Sequence, residues 1–283
     1  NMIIWLASYP KSGNTWLRAL IASYFFSEDG VFNQHYLQLI QQFPQKKYFK
    51  NFNYNPQNVT DTSKFWIPSQ EKINENKKFK FFKTHNILGA INNYKFTDEK
   101  NTTGCIYIIR DPRNVITSLQ NHYNITKEES LNFMLNKNKF IYDTSVKNDF
   151  SDFQFISSWK KNYHSWLNHK KFPVIMVKYE DLIEDTLMTF KIVIEFIELI
   201  TKSQKGFNEK KAKISIQSTT FEKMKKMERK EGFIESVSFK NGSKKIPFFH
   251  LGPKNNWKNI FDKNYQKKLN LKFKQNLKEL NYL

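Results

Sequence analysis

The feature that most constrains this chain is a short apolar run that leads into a polar turn and then into a helical pattern. Ile3 to Ser8 is a strand-like run, Tyr9 to Asn14 reads YPKSGN, and apolar residues recur at helical intervals from Thr15 to Phe26. A strand that ends in a turn at a helix N-terminus directs free backbone N–H groups and the positive end of the helix dipole at one point. The junction therefore predicts an anion site.

Further apolar runs rich in β-branched and aromatic residues predict strands at Lys80 to Thr84, Cys105 to Arg110 and Val174 to Lys178. Nearly continuous apolar strands separated by helices are typical of a parallel sheet covered on both faces. We therefore expect an α/β fold, a single domain over residues 1–283 with a central, mainly parallel β-sheet flanked by helices. The helices are predicted over Pro112 to Tyr123 with Asp111 as N-cap, Asp152 to Leu167, Asp181 to Leu199 with Asp181 as cap, Thr220 to Arg229 and Lys263 to Leu280. Lys230 to Lys245 lacks apolar periodicity and is predicted to be a mobile loop.

The turn after the first strand carries the residue types that bind a phosphate. Lys11 supplies a positive charge, and Gly13 allows the backbone to approach a ligand closely. Hydrogen-bond donors are added by Ser12, Asn14 and Thr15. The pattern GxxxxGK[ST] is missing, which disfavours a triphosphate bound with magnesium, and the chain has no CxxC or HExxH pattern. We predict a phosphate cradle without a metal.

Charge and composition limit the choice of partners. The chain of 283 residues has a formal net charge of +20, which favours acidic partners such as nucleotides or sulfated glycans. Only four of the 46 basic residues are arginine, whereas proteins that read DNA bases rely on arginine, so no specific nucleic acid is expected. The single cysteine, Cys105, suits a reducing compartment, and the opening apolar run is too short to span a membrane. These features predict a cytoplasmic protein.

Five segments together resemble the PAPS-dependent sulfotransferases, which use 3'-phosphoadenosine 5'-phosphosulfate (PAPS) as sulfuryl donor. They are YPKSGNTW (Tyr9 to Trp16), KFFKTHN (Lys80 to Asn86), IYIIRDPRNVITS (Ile106 to Ser118), VKYEDL (Val177 to Leu182) and STTFEKMK (Ser218 to Lys225). The resemblance implies a P-loop-like architecture, PAPS as co-substrate and PAP as product. By the same resemblance, the 5'-phosphosulfate is held by the cradle, the 3'-phosphate by Arg110 and Ser118, and the adenine by Trp16, Tyr179, Thr220 and Phe221.

The resemblance also implies the catalytic residues. His85 matches the family's catalytic histidine, and a histidine at the carboxyl end of a strand can accept a proton from an acceptor hydroxyl at neutral pH. Lys11 is expected to stabilise the leaving phosphate. Lys83 is expected to orient the sulfuryl group if the strand is regular enough to place it on the face of His85. His122 is the substitute candidate for the base.

One segment departs from the family pattern. HLGPKNNWKN, His250 to Asn259, keeps Gly252 but has His250 and Leu251 where family members often have arginine and lysine of the 3'-phosphate site. The candidate replacements for these cations are Lys254, Arg229 and Lys230.

Two other functions stay open at this point: a P-loop small-molecule kinase, and a catalytically impaired relative that binds polyanions. The acceptor is expected to be a small molecule or a glycan with a hydroxyl or amine, and no oligomeric state is predicted. Acceptor pockets are built from loops, here Asp29 to Pro68, Lys137 to Phe150 and Lys230 to Lys245.

Overall fold

The structure is a computed structural model, and it describes residues 2–143, 148–236 and 246–283. The strands are β1 (Ile3–Ser8), β2 (Gln41–Gln42), β3 (Lys80–Thr84), β4 (Ala90–Ile91), β5 (Tyr94–Lys95), β6 (Thr102–Ile109), β7 (Phe140–Ile141), β8 (Gln154–Phe155) and β9 (Val174–Lys178). The α-helices are α1 (Asn14–Phe26), α2 (Trp66–Asn74), α3 (Pro112–Tyr123), α4 (Lys127–Leu135), α5 (Trp159–Leu167), α6 (Tyr179–Glu184), α7 (Thr186–Thr201), α8 (Glu209–Ser218), α9 (Phe221–Glu231), α10 (Trp257–Ile260) and α11 (Lys263–Glu279). Short 3-10 helices cover Gln34–Leu39, Lys46–Tyr48, Asp61–Phe65 and Gly252–Lys254.

The central sheet has five strands in the order β2-β3-β1-β6-β9, and all of them pair in parallel. This confirms the predicted α/β fold with a central, mainly parallel sheet flanked by helices. The chain passes from β1 to β3 on one side and then to β6 on the other side of β1. Such a reversal of strand order opens a crevice at the carboxyl ends of the strands, where α/β proteins bind ligands.

The middle strand β1 is buried on both of its faces. Ile3, Trp5 and Ala7 pack into a core cluster with side chains of α3, α5 and α11. Ile4 and Leu6, on the opposite face, pack into a second cluster with α1, α7 and α8. This two-sided burial explains why the strand has no polar alternation, and it holds the turn that follows β1 against the body of the protein.

The predicted strands β1, β3 and β9 have the bounds that the sequence indicated, and β6 begins three residues earlier than expected. The helix expected over Asp152 to Leu167 was partly wrong. Residues 154–155 form β8, which pairs antiparallel with β7, and the helix begins only after Ser158, whose side chain accepts from the Lys161 amide. The pairing of β8 with β7 outweighs the helical propensity predicted for residues 152–158.

The single helix predicted over Asp181 to Leu199 is in fact two helices, α6 and α7. Asp185 lies between them in an extended conformation, and its side chain caps α7 by accepting from the Met188 amide. Asp181 was therefore wrongly assigned as a cap, because it lies in the first turn of α6. Glu180 instead accepts hydrogen bonds from the Asp111 amide and the Tyr282 hydroxyl, which ties α6 to the end of β6 and to the C-terminal residues.

Four of the described helices were not predicted: α2, α4, α8 and α10. Part of the predicted mobile loop, residues 237–245, lies outside the described residues, as do residues 144–147 of a predicted acceptor loop. Within the described ranges, no helix has the length and apolar character that crossing a membrane requires.

Candidate active site

A cavity of about 1490 Å³ opens at the carboxyl edge of the central sheet. Its walls come from the turn after β1, the first residues of α1, the ends of β3 and β6, and the starts of α6 and α9. Elements far apart in the sequence therefore meet at the crevice that the strand order predicts.

The turn between β1 and α1 needs a glycine because of its backbone conformation. Gly13 has φ +97°, and a Cβ atom there would lie 2.4 Å from the Tyr179 ring, so a larger residue does not fit. The Asn14 side-chain nitrogen donates to the Leu6 carbonyl and the Ser8 hydroxyl, which ties the turn back to β1. The Asn14 side chain is thus used for structure, and the free backbone N–H groups of the first turn of α1 face the cavity's cradle.

Lys11 lies in this turn with its ammonium 3.9 Å from the centre of the Phe248 ring. Burial is the main cause that lowers its pKa to about 7; Lys83 and Arg110 act in the same direction, while Glu235 opposes the shift. A lysine near half protonation at neutral pH gains charge when an anion enters, so Lys11 is suited to bind one.

A buried ionic cluster adjoins the cradle. The Glu235 carboxylate accepts from the Thr15 hydroxyl at 2.5 Å and from the Lys83 ammonium at 3.0 Å, and it pairs with the Arg18 guanidinium. Arg18 also donates to two backbone carbonyls, of Leu37 at 3.1 Å and Ile40 at 3.0 Å. The cations hold the pKa of Glu235 well below its usual range despite burial, so the carboxylate is charged.

His85 follows β3 directly and is 9% exposed. Its Nδ1 lies 2.8 Å from the Ser8 carbonyl oxygen, which can only accept, so Nδ1 carries the proton and Nε2 keeps a free lone pair. The His85 amide donates to Gln154 Oε1 at 2.7 Å, which fixes the residue's backbone. Burial, followed by Lys83, lowers the imidazole pKa to about 3, so the ring is a neutral proton acceptor at physiological pH.

A second imidazole, His122, lines the same cavity from the last turn of α3. Its ring makes edge contacts with Tyr123 and Phe248, with centroid distances of 4.7 and 6.0 Å. Burial, followed by Lys11, lowers its pKa to about 3. His122 therefore shares the cavity with His85, but no hydrogen bond within the described residues fixes its tautomer.

The predicted 3'-phosphate pair is brought together. Arg110 Nη1 donates to Ser118 Oγ at 3.1 Å and to the Lys11 carbonyl at 3.3 Å, and the guanidinium lies 4.2 Å from the Tyr179 ring centre. Asn255 adds a donor, because its Nδ2 is 3.1 Å from Ser118 Oγ. A cation, a hydroxyl and an amide thus converge beside the cradle.

Four buried donors in this region have no hydrogen-bond partner among the described residues: Ser12 Oγ, Trp16 Nε1, Arg18 Nε and Arg110 Nε. Trp16, Arg18 and Arg110 line the cavity, whereas Ser12 does not. Unpartnered buried donors are costly, and an anionic ligand with several oxygens is a partner that can satisfy such donors. The residues present therefore fit a phosphate-bearing nucleotide, and no group of residues in the described ranges is arranged to hold a metal ion.

A family profile described as "Sulfotransferase domain" matches residues 3–281 of this chain. The chain belongs to the sulfotransferase domain family. The resemblance seen in the five segments is thereby confirmed.

Among similar relatives are Sulfotransferase 1A1 of Rattus norvegicus, 24% identical over 260 residues, and Cytosolic sulfotransferase 14 of Arabidopsis thaliana, 28% identical over 234 residues. The first alignment covers 90% of this chain and 78% of the rat protein; the second covers 79% of this chain and 61% of the plant protein.

Two solved structures share the sulfotransferase fold. Both are of retinol dehydratase, one in complex with androsterone and inactive cofactor PAP and the other with retinol and PAP. The TM-scores are 0.55 and 0.58 at 16% and 17% sequence identity, and each alignment covers 98% of this chain and about four fifths of the other. At this identity the likeness shows the fold alone.

The remaining predicted residues of this sulfotransferase domain line the cavity in two groups. Trp16 and Tyr179 meet edge to face with ring centres 5.9 Å apart. Gly252 lies so close to Phe221 that a Cβ atom would be 2.3 Å from the Phe221 ring, and Thr220 caps α9 through its side chain. All five residues are part of the cavity lining.

The residues suggested as replacements for the missing cations of the 3'-phosphate site do not line the cavity. Lys254 is exposed and is not among the residues that line the cavity, and the same holds for Arg229 and Lys230 near the end of α9. Asn255, next to Lys254, occupies the place beside Ser118 instead. Sequence reasoning missed Asn255 and Glu235, because no spacing rule links them to the cradle. Arg18 lies only three residues after Thr15 on α1 but was not assigned a role.

Proposed function

We propose that this protein transfers the sulfuryl group of PAPS to a hydroxyl or amine of an acceptor. The observation that carries the proposal is that a neutral His85, with its tautomer fixed by Ser8, shares one cavity with the ammonium groups of Lys11 and Lys83 in a sulfotransferase domain. When bound, PAPS would supply the sulfuryl group that is transferred. The residues of the chain bind, orient and move a proton around it.

Donor binding is assigned to the cradle and its surroundings. Lys11, Ser12, Gly13, Asn14 and Thr15 present an ammonium, hydroxyls and backbone N–H groups to the 5' end of the nucleotide. The 3'-phosphate, which distinguishes PAP from ATP, would be held by Arg110 and Ser118, with Asn255 in support. The adenine would be bound by Trp16, Tyr179, Thr220, Phe221 and Gly252, which all line the cavity.

His85 is proposed as the general base. Its Nε2 has the lone pair needed to accept the acceptor's proton, and the Nδ1–H bond to the Ser8 carbonyl favours the imidazolium that forms. A pKa of about 3 makes the empty-site imidazole a weak base, but an anionic donor beside it stabilises the protonated ring and raises the pKa.

The two lysines are proposed to stabilise negative charge. Lys83 lies two residues before His85 and lines the same cavity, which supports a shared role for the two side chains. Lys11 is assigned to the leaving phosphate. Lys83 is assigned to the sulfuryl oxygens.

The experiment is a transfer assay with labelled PAPS and a panel of phenols, alcohols, sugars and amines. We expect turnover with at least one acceptor class, and His85→Ala should lower the rate by about 100-fold or more while PAP affinity changes little. His35→Asn, on an exposed histidine outside the cavity lining, is the control and should keep full activity. A His85→Ala variant as active as the wild type would refute the role of the imidazole.

A further inference from the structure

Glu235 is the carboxylate closest to the cradle, and neither the family motifs nor the proposed mechanism uses it. It follows α9 by four residues, and its side chain is only 18% exposed. Its partners are the Thr15 hydroxyl, the Lys83 ammonium and the Arg18 guanidinium. An acidic side chain thus accepts hydrogen bonds from three donors at the proposed anion site.

Two of these three hydrogen-bond donors belong to the PAPS site under the proposed function. Thr15 is part of the cradle, and Lys83 is assigned to the sulfuryl oxygens. A hydroxyl proton and an ammonium that point at Glu235 are not available to another anion at the same time, and a second anion beside the carboxylate is repelled. Glu235 and an incoming anion therefore compete for the same groups.

The third partner explains how the carboxylate can leave. Arg18 keeps its hydrogen bonds to the Leu37 and Ile40 carbonyls when Glu235 is absent, so the guanidinium is not stranded without partners. The residues on either side of Glu235 are anchored independently: Phe233 is 2% exposed, and the Ser236 hydroxyl donates to Glu228 at 2.6 Å. A rotation of the Glu235 side chain alone is sufficient to free Thr15 and Lys83.

We propose that Glu235 is an internal stand-in for the donor's anion: it neutralises Lys83 and Arg18 in the empty site and is displaced when the 5' end of the donor binds. The identity of the displacing ligand rests on the proposed function. The competition itself rests on the observed contacts. In the empty enzyme, the carboxylate keeps buried cations paired, and it lowers the affinity for donor and product alike.

The test is calorimetric binding of PAP and of inorganic pyrophosphate to wild type and Glu235→Gln. The amide keeps the shape and an acceptor oxygen but loses the charge, so we expect about tenfold tighter binding of both probes. Glu231→Gln is the matched control, because it removes the same charge from an exposed position at the end of α9, and it should change affinity less than about twofold. Equal or weaker binding of pyrophosphate by Glu235→Gln would overturn the inference.

A second measurement covers the case in which Glu235→Gln does not fold. A crystal structure of the wild-type protein with PAP should show the Glu235 carboxylate out of hydrogen-bonding reach of Thr15 and Lys83. A carboxylate that still contacts both with PAP bound would also overturn the inference. Absence of PAP binding to any variant, with pyrophosphate still bound more tightly by Glu235→Gln, would contradict the proposed function and leave the competition standing.

Discussion

At the scale of single residues, positive charge is concentrated around the cavity. Lys11, Lys83, Arg18 and Arg110 all line it, and the Glu235 carboxylate contacts two of them. Burial disfavours the charged form of Lys11 and lowers its pKa to about 7. Under the proposed function, an anion that binds beside Lys11 would therefore favour its protonation.

Binding of PAP should take up a proton on the alkaline side of neutrality. At pH 8 the free Lys11 amine is mostly neutral, and an entering phosphate favours the ammonium, so affinity should fall as the pH rises from 7 to 9. Calorimetry in two buffers with different ionisation enthalpies measures the uptake directly. Lys11→Arg, which stays charged throughout, should bind with less proton uptake, and identical heats for wild type in both buffers would contradict the assignment.

The residues of the cradle could be predicted from the sequence because they are contiguous, and a strand, a turn and a helix start bring contiguous residues together by local geometry. Arg110 and Ser118 were predictable for a related reason, since they stand eight residues apart, with Arg110 directly after β6 and Ser118 on α3. Glu235 could not be predicted. It reaches Thr15 across 220 residues of chain, and its position depends on packing that no local pattern encodes.

At the scale of elements, helix starts are set by side chains that satisfy free amides. Thr126 and Glu129 form a capping box at the start of α4, with the Thr126 hydroxyl accepting from the Glu129 amide and the Glu129 carboxylate accepting from the Thr126 amide. The pattern Thr-x-x-Glu is visible in the sequence, so α4 could have been predicted from it. By contrast, β8 depends on pairing with β7, and no periodicity within Gln154–Phe155 predicts this strand.

Thr126→Ala should lower the free energy of unfolding by about 1 kcal/mol, because two amides at the start of α4 lose their partners or their geometry. Urea denaturation measures the change. Thr126→Ser, which keeps the hydroxyl, is the matched control and should lie close to wild type. Since Thr126 does not line the cavity, PAP affinity should be unchanged, and a stability loss equal in both variants would argue against the cap.

At the scale of the whole molecule, the sheet order places the site and the buried histidines limit acid stability. The pKa of His85 is about 3 in the folded protein and near 6.5 in an unfolded chain, so between these values the unfolded state binds more protons. Stability therefore rises with pH across this window and is lost as the pH falls. His122 shifts in the same direction for the same reason, with burial first.

We expect His85 alone to cost about 2 kcal/mol of stability on going from pH 7 to pH 5. The measurement is urea denaturation of wild type and His85→Gln at both values of pH. The variant should lose less stability by about that amount, since it has no proton to gain. Equal losses in the two proteins would show that the imidazole is not held neutral by burial.

The order of the central sheet also decides where the cavity lies, because β1 lies between β3 and β6 and their carboxyl ends meet at one crevice. The alternation of apolar strands and helices predicted this architecture, whereas the loops that complete the cavity have no periodic signal.

The most direct test of the account is the melting temperature of the wild-type protein with PAP in the absence of magnesium, compared with 5'-AMP and with ATP plus magnesium. We predict a rise with PAP that exceeds the rise with either of the others and that depends on Arg110, because the 3'-phosphate is the group that Arg110 and Ser118 are proposed to bind. No rise with PAP, or a larger rise with ATP and magnesium, would contradict the account.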